Sequence, residues 1–166
     1  LYWDYSGGIS TDLLVHQTDA IHMITGRTHC KSVMCNGGIH YWREDDREVP
    51  DTVTAGFEYP GNFHINYSAA FSNAHFRYGE QLLGSEGTME IIGLRDLYVY
   101  PERYRNAPEE VSSRPEIHIR GRKDLGQGNP TGDHLKNFIA AIRDNVPLNC
   151  NAQTCLLYTS TSPRDA

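Results

Sequence analysis

Alternation of apolar and polar residues dominates the middle of the chain. From Thr52 to Tyr59, and again from Asn62 to Phe71, nearly every second residue is apolar or aromatic. A period of two is typical of a β-strand that buries one face and leaves the other in water. Shorter runs rich in β-branched and aromatic residues predict further strands at residues 32–41, 80–83, 88–92, 97–100 and 116–120.

Two tight turns indicate that these strands pair as hairpins. Residues 59–62 are Tyr-Pro-Gly-Asn, in which Pro60 presets φ at the first central position and Gly61 accepts a positive φ at the next. Residues 84–87, Gly-Ser-Glu-Gly, predict a second hairpin. Because such short connections leave no room for a crossover helix, the strands are expected to be antiparallel.

A helix is predicted before the strands. Gly7 and Gly8 let the backbone turn sharply ahead of it. Ser10 and Thr11 are candidate N-caps, and Gly26 is expected to end the helix. Apolar residues recur at helical spacing along one side and should bury against a sheet, namely Leu13, Ala20, Ile21 and Ile24.

A second helix is predicted after the strands, at residues 131–145, with Pro147 just beyond its end. Its apolar side consists of Leu135, Phe138, Ile139 and Ile142. Residues 101–115 lack periodicity and are expected to form a long surface excursion. The pattern as a whole predicts an α+β fold, with an open, mainly antiparallel sheet and helices packed on one face.

Composition narrows the class of protein. A chain of 166 residues, of which 39% are hydrophobic, matches one globular domain. A net charge of -6 with scattered basic residues opposes nucleic-acid binding. No run of 18 apolar residues is present, so membrane insertion is not expected. We expect a cytoplasmic location, although the chain begins at Leu1 and an export signal upstream stays open.

The four cysteines form two pairs, Cys30 with Cys35 and Cys150 with Cys155, each with four intervening residues. This spacing is longer than the two-residue spacing of most zinc knuckles, so no metal site is predicted. Buried free thiols in a reducing compartment are the simpler expectation.

We interpret the last twelve residues as not belonging to the natural coding sequence. Residues 155–166, Cys-Leu-Leu-Tyr-Thr-Ser-Thr-Ser-Pro-Arg-Asp-Ala, resemble the translation of a sequencing adaptor. We therefore expect a substrate-binding and catalytic α+β domain over residues 1–154, truncated at both ends, followed by a non-native tail.

Three polar residues of the first predicted helix could carry chemistry. Asp12, His16 and Asp19 are spaced i, i+4 and i+7 and so project from one side. A carboxylate one turn from an imidazole can orient the ring and favour its protonated form, which is a usable general acid/base unit. Spacing alone leaves an alternative open, in which Asp12 caps the helix and His16 is a partly buried structural histidine.

The surrounding sequence resembles a known family. Residues 6–19, Ser-Gly-Gly-Ile-Ser-Thr-Asp-Leu-Leu-Val-His-Gln-Thr-Asp, are similar to the Gly-Gly, Asp-x-x-x-His segment that opens the second domain of glucose-fructose oxidoreductase / inositol dehydrogenase (Gfo/Idh/MocA) enzymes. Further segments resemble later parts of that domain in the same order, at residues 48–52, 57–61, 84–90 and 134–147. The resemblance covers most of residues 1–150.

The resemblance implies roles for individual residues. His16 would exchange the hydroxyl proton of the substrate, and Asp12 would orient it or contact the substrate. Asp19, Tyr5 and His75 are weaker candidates for substrate binding. For Asp19 a solvated carboxylate or a pair with His22 is an equal alternative. For Tyr5 the alternative is core packing, together with Tyr2 and Trp3. For His75 the alternative is an exposed surface position without a role in binding.

The resemblance also implies a cofactor, NAD or NADP, bound mainly by a Rossmann domain that this sequence lacks. No G-x-G-x-x-G follows a strand here, and the family's Glu-Lys-Pro motif is missing. We therefore expect the full-length protein to be an NAD(P)-dependent dehydrogenase and this fragment alone to be inactive.

The implied partners are a sugar or polyol substrate and further copies of the same chain, paired through the open sheet face. Two alternatives remain within the family, a member without redox turnover and a scaffold that acts through assembly. A metal site built from His16, Asp19 and His22 fails on geometry, since His22 points about 120° away from His16.

Overall fold

The computed structural model describes residues 2–93, 95–126 and 128–152. These residues divide into two compact units, a first one that comprises residues 2–74 and 150–152 and a second one, His75–Asn149. The predicted adaptor-derived tail, residues 155–166, lies outside the described residues.

The first unit joins a helical segment to a small sheet. A π-helical turn, Ser10–Leu14, leads directly into helix α1, Val15–Thr25. Three strands follow, and each pairs antiparallel with the next along the chain: β1 (Ser32–Gly38), β2 (Thr52–Tyr59) and β3 (Phe63–Ala70).

The core of the first unit lies where the helical segment meets one face of this sheet. Ile9, just before the π-helical turn, is buried together with Val53, Ala55 and Tyr67 of the sheet. Ala55 lies opposite Tyr67 in the register of β2 and β3, so the two side chains share a face. Leu14, Phe57 and Ala69 pack around this cluster. The predicted alternation in β2 and β3 is therefore confirmed.

The hairpin between β2 and β3 turns as predicted at Gly61, whose φ is 77°. It has three loop residues, because Tyr59 pairs with Phe63 across the turn. Asn62 also adopts a positive φ, of 57°, which asparagine tolerates better than most residues. The prediction that Asn62 belongs to the following strand was wrong for this reason.

Two other boundaries near the first helix differ from the sequence predictions. Ser10 and Thr11 are not N-caps, because Ile9 before them already has helical angles (φ -49°, ψ -38°). The end of α1 at Gly26 is as predicted, with φ 69° and an N–H that donates to the carbonyl of His22. Strand β1 ends at Gly38 and not at Tyr41, because the backbone beyond it turns toward Asp51.

The second unit contains a four-stranded antiparallel meander. Its strands are β4 (Gly79–Gly84), β5 (Gly87–Ile92), β6 (Asp96–Pro101) and β7 (Ile117–Arg120), paired in that order. The predicted hairpin is present, with Gly84 paired to Gly87 across Ser85 and Glu86. Three helices accompany the sheet: α2 (Glu109–Ser112), α3 (Gly121–Asp124) and α4 (Pro130–Asp144).

Helix α4 matches its prediction within one residue at each end. Asn129 caps it by accepting a hydrogen bond from the N–H of Gly132 at 3.1 Å, and Asn145 ends it with a left-handed φ of 54°. Its apolar side chains are exposed within the described residues, at 45% to 67%: Leu135, Phe138, Ile139 and Ile142.

The α+β class with antiparallel strands is confirmed, although the strands form two sheets where the sequence analysis expected one. The predicted excursion 101–115 includes the short helix α2. The expectation of buried thiols was wrong, since Cys35 and Cys150 are exposed and Cys30 is half-buried. Among the described residues, no helix combines the length and the apolar character needed to cross a membrane.

Candidate active site

The start of the first helical segment depends on Gly8. This residue has a positive φ of 66°, which side-chain-bearing residues rarely adopt. A Cβ there would also lie 3.1 Å from Cβ of Val49. The carbonyl of Gly8 accepts the N–H of Asp12 at 2.9 Å, which begins the helical hydrogen-bonding pattern. The backbone at Gly8 therefore places Asp12 next to the segment that ends in Val49.

Asp12 is exposed and held by neighbouring hydroxyl groups. The hydroxyl of Ser6 donates to Oδ2 of Asp12 at 3.2 Å, and that of Thr11 donates to Oδ1 at 3.1 Å. Oγ of Ser6 in turn accepts the N–H of Gly8 at 2.9 Å. These contacts fix the carboxylate on the outer side of the π-helical turn, which is an uncommon element that often occurs at functional sites.

His16 lies one turn further, at the second position of α1, and is exposed. Within the described ranges, its ring has no hydrogen-bond or ion-pair partner. This exposure argues against the alternative of a partly buried, hydrogen-bonded histidine. An exposed imidazole near a carboxylate can exchange a proton with a hydroxyl group that approaches from solvent.

His22 is buried, whereas His16 and Asp19 are exposed. The two histidines of α1 therefore point into different surroundings. Nε2 of His22 shares a hydrogen bond of 2.7 Å with the hydroxyl of Tyr59. This separation agrees with the geometric argument against a shared metal site. Over the part of the chain that the structure describes, no cluster of three or more His, Cys, Asp or Glu side chains could hold a metal ion.

The pair of His22 and Tyr59 is electrically neutral at ordinary pH. Burial lowers the pKa of His22, with Asp19 acting against this and His29 acting with it. Burial, helped by Cys30, raises the pKa of Tyr59 to about 12. Sequence analysis missed this pair, although a histidine on the buried side of α1 and a tyrosine on the inward side of β2 are a usable signal.

The remaining predicted site residues are spread over both units. Tyr5 is 86% exposed, and Tyr2 and Trp3 beside it are exposed as well, so the alternative of core packing was wrong. His75 is exposed and lies edge-to-face with Phe76, with ring centroids 5.0 Å apart. It belongs to the second unit, whereas Tyr5, Asp12 and His16 belong to the first.

A buried carboxylate beside this site was not predicted from sequence. Asp51 has no exposed surface, and its oxygens accept backbone N–H groups of His40, Tyr41 and Trp42 at 2.9–3.0 Å. The hydroxyl of Thr52 donates to the same carboxylate at 2.9 Å. Burial alone would raise the pKa of Asp51, but these four donors outweigh it and hold the pKa well below its usual range.

The segment between β1 and β2, residues 39–51, carries a second fixed group. The guanidinium of Arg47 binds Asp45 through two nitrogens, with Nη2 2.7 Å and Nε 2.8 Å from carboxylate oxygens. Its Cζ lies 5.1 Å from the centroid of the Trp42 ring. Glu48, the next residue, accepts the N–H of Trp3 at 3.0 Å. We call residues 39–51 the Asp51 loop.

The fold and the site together define an α+β domain with an exposed imidazole and carboxylate at the start of its first helix. The chain belongs to the family of GFO/IDH/MocA C-terminal domains, whose model matches residues 1–93, more than half of the chain. It is therefore an oxidoreductase C-terminal domain, as the sequence resemblance indicated. A comparison with curated protein sequences gives no match.

Solved structures share the fold at low sequence identity. UDP-N-acetylglucosamine 3-dehydrogenase GnnA from Acidithiobacillus ferrooxidans matches 89% of this chain with a TM-score of 0.66 and 17% identity. A protein from Thermotoga maritima, provisionally named an oxidoreductase, matches 87% with a TM-score of 0.60 and 16% identity. This chain covers 44% and 39% of those two structures, respectively.

Proposed function

We propose that this chain is the substrate-binding and catalytic domain of an NAD(P)-dependent dehydrogenase of sugars, polyols or related hydroxy compounds. The observation that carries the proposal is the exposed imidazole of His16, one turn from the fixed carboxylate of Asp12. The family supports an oxidoreductase, and the name of the Acidithiobacillus relative supports a sugar as substrate.

The chemistry of the proposed reaction divides between cofactor and chain. When bound, the nicotinamide supplies or accepts the hydride at the carbon that bears the reacting hydroxyl group. His16 takes the hydroxyl proton as the carbonyl forms, and returns it in the opposite direction. Asp12 orients the substrate or the imidazole of His16. Asp19, Tyr5 and His75, all exposed, are proposed as further candidate substrate contacts.

The residues present fit proton transfer at the substrate and not the binding of a dinucleotide. His16 is accessible and has no competing partner within the described ranges, whereas the sequence contains no Gly-rich phosphate turn after a strand. We therefore propose that the nucleotide is held mainly by a further domain of the complete protein, and that this chain alone does not turn over substrate.

The test uses the complete protein that contains this chain. Reduction of NAD and of NADP is followed at 340 nm with UDP-N-acetylglucosamine, D-glucose and myo-inositol as substrates. His16→Ala should lower kcat by about 10²–10⁴-fold, the usual contribution of one general acid/base. Nucleotide affinity, measured by calorimetry without substrate, should stay unchanged.

His29→Ala is the matched control, because this exposed histidine follows the same helix at its other end. Its kcat should equal that of the unmodified protein. Equal kcat for His16→Ala would reject His16 as the acid/base. Failure of the unmodified protein to reduce either nucleotide with any of the three substrates would count against a redox function.

We also propose that copies of the protein pair through an open sheet face. The face of the first sheet opposite its core is exposed at Met34, Thr54 and Ser68. An exposed sheet face that carries apolar and hydroxyl side chains can pack against a second sheet. Thr54→Arg should lower the mass measured by light scattering, and an unchanged mass would reject this surface as the interface.

A further inference from the structure

Exposed aromatic rings cluster around the Asp51 loop. Tyr41 and Trp42 are 63% and 44% exposed, and their rings meet edge-to-face with centroids 4.9 Å apart. Trp3, 59% exposed, is bound to the same loop through Glu48. Large rings left in water on one stretch of surface commonly mark a binding site.

Both tryptophans contact the dipeptide Arg47-Glu48 of the Asp51 loop. Arg47 lies over the ring of Trp42, and its neighbour Glu48 holds the backbone of Trp3. These are the only two tryptophans of the chain. The loop therefore brings together residues that are 39 positions apart in sequence.

Side-chain hydrogen bonds and an ion pair hold the Asp51 loop in one conformation. Asp51 binds three consecutive N–H groups, which sets the direction of the backbone at Tyr41 and Trp42. The side chain of Arg47 is only 8% exposed because it lies between Asp45 and Trp42. A surface whose side chains are already ordered loses little conformational freedom when it binds a ligand.

The loop also adjoins the candidate active site. Its end, Val49, lies directly against Gly8, where an added Cβ would come within 3.1 Å. Gly8 begins the turn that carries Asp12, through the hydrogen bond from the Asp12 N–H. Two contacts therefore join the loop to the segment that carries Asp12, namely Val49 against Gly8 and Glu48 to the N–H of Trp3.

We infer that Trp42, together with Trp3 held on the same loop by Glu48, is a sugar-stacking surface that helps to select the substrate of the proposed reaction. The C–H face of a pyranose or cyclitol ring is apolar and packs on the electron-rich face of an indole. Exposed carboxylates in the loop, Glu44 and Asp46, can accept hydrogen bonds from its hydroxyl groups. Asp51 is a positioning residue in this proposal, since it acts through the backbone of Trp42.

The inference rests on the proposed function but is tested separately from it. Binding of UDP-N-acetylglucosamine, D-glucose and myo-inositol is measured by calorimetry on the complete protein without nucleotide. At least one of these should bind, and Trp42→Ala should raise its Kd by about tenfold or more, the loss expected for an aromatic contact residue. Because Trp42 is exposed, Trp42→Ala should keep the fold, and circular dichroism checks this.

Tyr104→Ala is the matched control, because this ring is 53% exposed but lies in the second unit. Its Kd should equal that of the unmodified protein. In turnover assays Trp42→Ala should raise KM by a similar factor and leave kcat within about threefold, since stacking binds ground state and transition state alike.

The outcomes separate the two proposals. Sugar binding that depends on Trp42, without nicotinamide reduction, would keep this inference and reject the dehydrogenase. Turnover with KM unchanged in Trp42→Ala would keep the dehydrogenase and overturn this inference. Absence of binding by all three compounds, or binding that Trp42→Ala does not weaken, would also overturn it.

Discussion

Replacing Asp51 by asparagine tests how far one buried carboxylate holds the loop. Oδ1 accepts hydrogen bonds from the N–H of His40 and the hydroxyl of Thr52, and Oδ2 accepts those of Tyr41 and Trp42. An asparagine of the same shape keeps one oxygen and turns an NH₂ group toward the other two donors. With the NH₂ group toward Tyr41 and Trp42, Asp51→Asn loses both of their hydrogen bonds. With the NH₂ group on the other side it loses only the bond from His40, because the Thr52 hydroxyl can turn and accept from the amide.

The expected cost follows from at least one lost hydrogen bond and from the loss of the charge that strengthens the remaining ones. Hydrogen bonds to a charged group contribute about 1.5–3 kcal/mol each, and relief from burying the charge offsets part of the loss. We expect Asp51→Asn to lower the free energy of unfolding by about 2–4 kcal/mol, a large share of the roughly 5–15 kcal/mol of a typical domain.

Urea unfolding of the chain measures this change. In a Trp3→Phe background the tryptophan fluorescence comes from Trp42 alone. The backbone N–H of Trp42 is one of the four donors to Asp51, so its emission should report a change at that contact. Asp45→Asn is the control, because its ion pair with Arg47 is partly exposed and should contribute little to stability. Asp51→Asn with the stability of the unmodified chain, to within about 0.5 kcal/mol, and with the same Trp42 emission would refute the reasoning.

Three further predictions follow from the first helix and from α4. Gly8→Ala forces a side chain into a positive φ and against Val49, so it should destabilise the chain by about 1–3 kcal/mol in urea unfolding, and a neutral effect would contradict the geometry. His22 has a pKa lowered by burial, so the unfolded state binds more protons: its contribution is complete above about pH 6.5 and is lost as pH falls below that value. The urea midpoint should therefore fall as the pH is lowered from 8 to 5, and His22→Gln should flatten this dependence. An equal slope in both proteins would exclude His22 as the cause. Asn129→Ala removes the side-chain acceptor for Gly132 and should cost about 1 kcal/mol, with His134→Ala, at an exposed position inside α4, as comparison.

Local signals in the sequence sufficed for much of the fold. The alternation along β2 and β3 predicted which side chains are buried, because a strand of period two leaves only two choices of face. Gly61 fixed the hairpin by its positive φ. The spacing of Asp12 and His16 placed both on the exposed side of one helical segment, even though its first turn is π-helical. In each case neighbours within a few residues decide the structure.

The parts that sequence analysis missed depend on contacts between distant residues. A single carboxylate following Pro50 gives no local sign that it will bind three N–H groups about ten residues earlier. The same contact ended β1 at Gly38, because N–H groups that bind Asp51 cannot also pair in a sheet. The division of seven strands between two sheets is likewise set by pairing across the whole chain, and no local pattern specifies it.

The Asp51 loop, which sequence analysis missed, is in contact with the segment that carries the predicted pair of Asp12 and His16. Val49 lies against Gly8, so any residue that shifts the Asp51 loop also shifts the backbone from which Asp12 takes its position. A dehydrogenase needs its acid/base group and its substrate-orienting surface in a fixed relation, because small displacements of the reacting atoms lower the rate steeply. Two elements that lie about 40 residues apart in sequence meet here through one glycine without a side chain. Substitutions that loosen Asp51 should therefore change kcat through Asp12 as well as KM through Trp42, whereas Trp42→Ala should change KM alone.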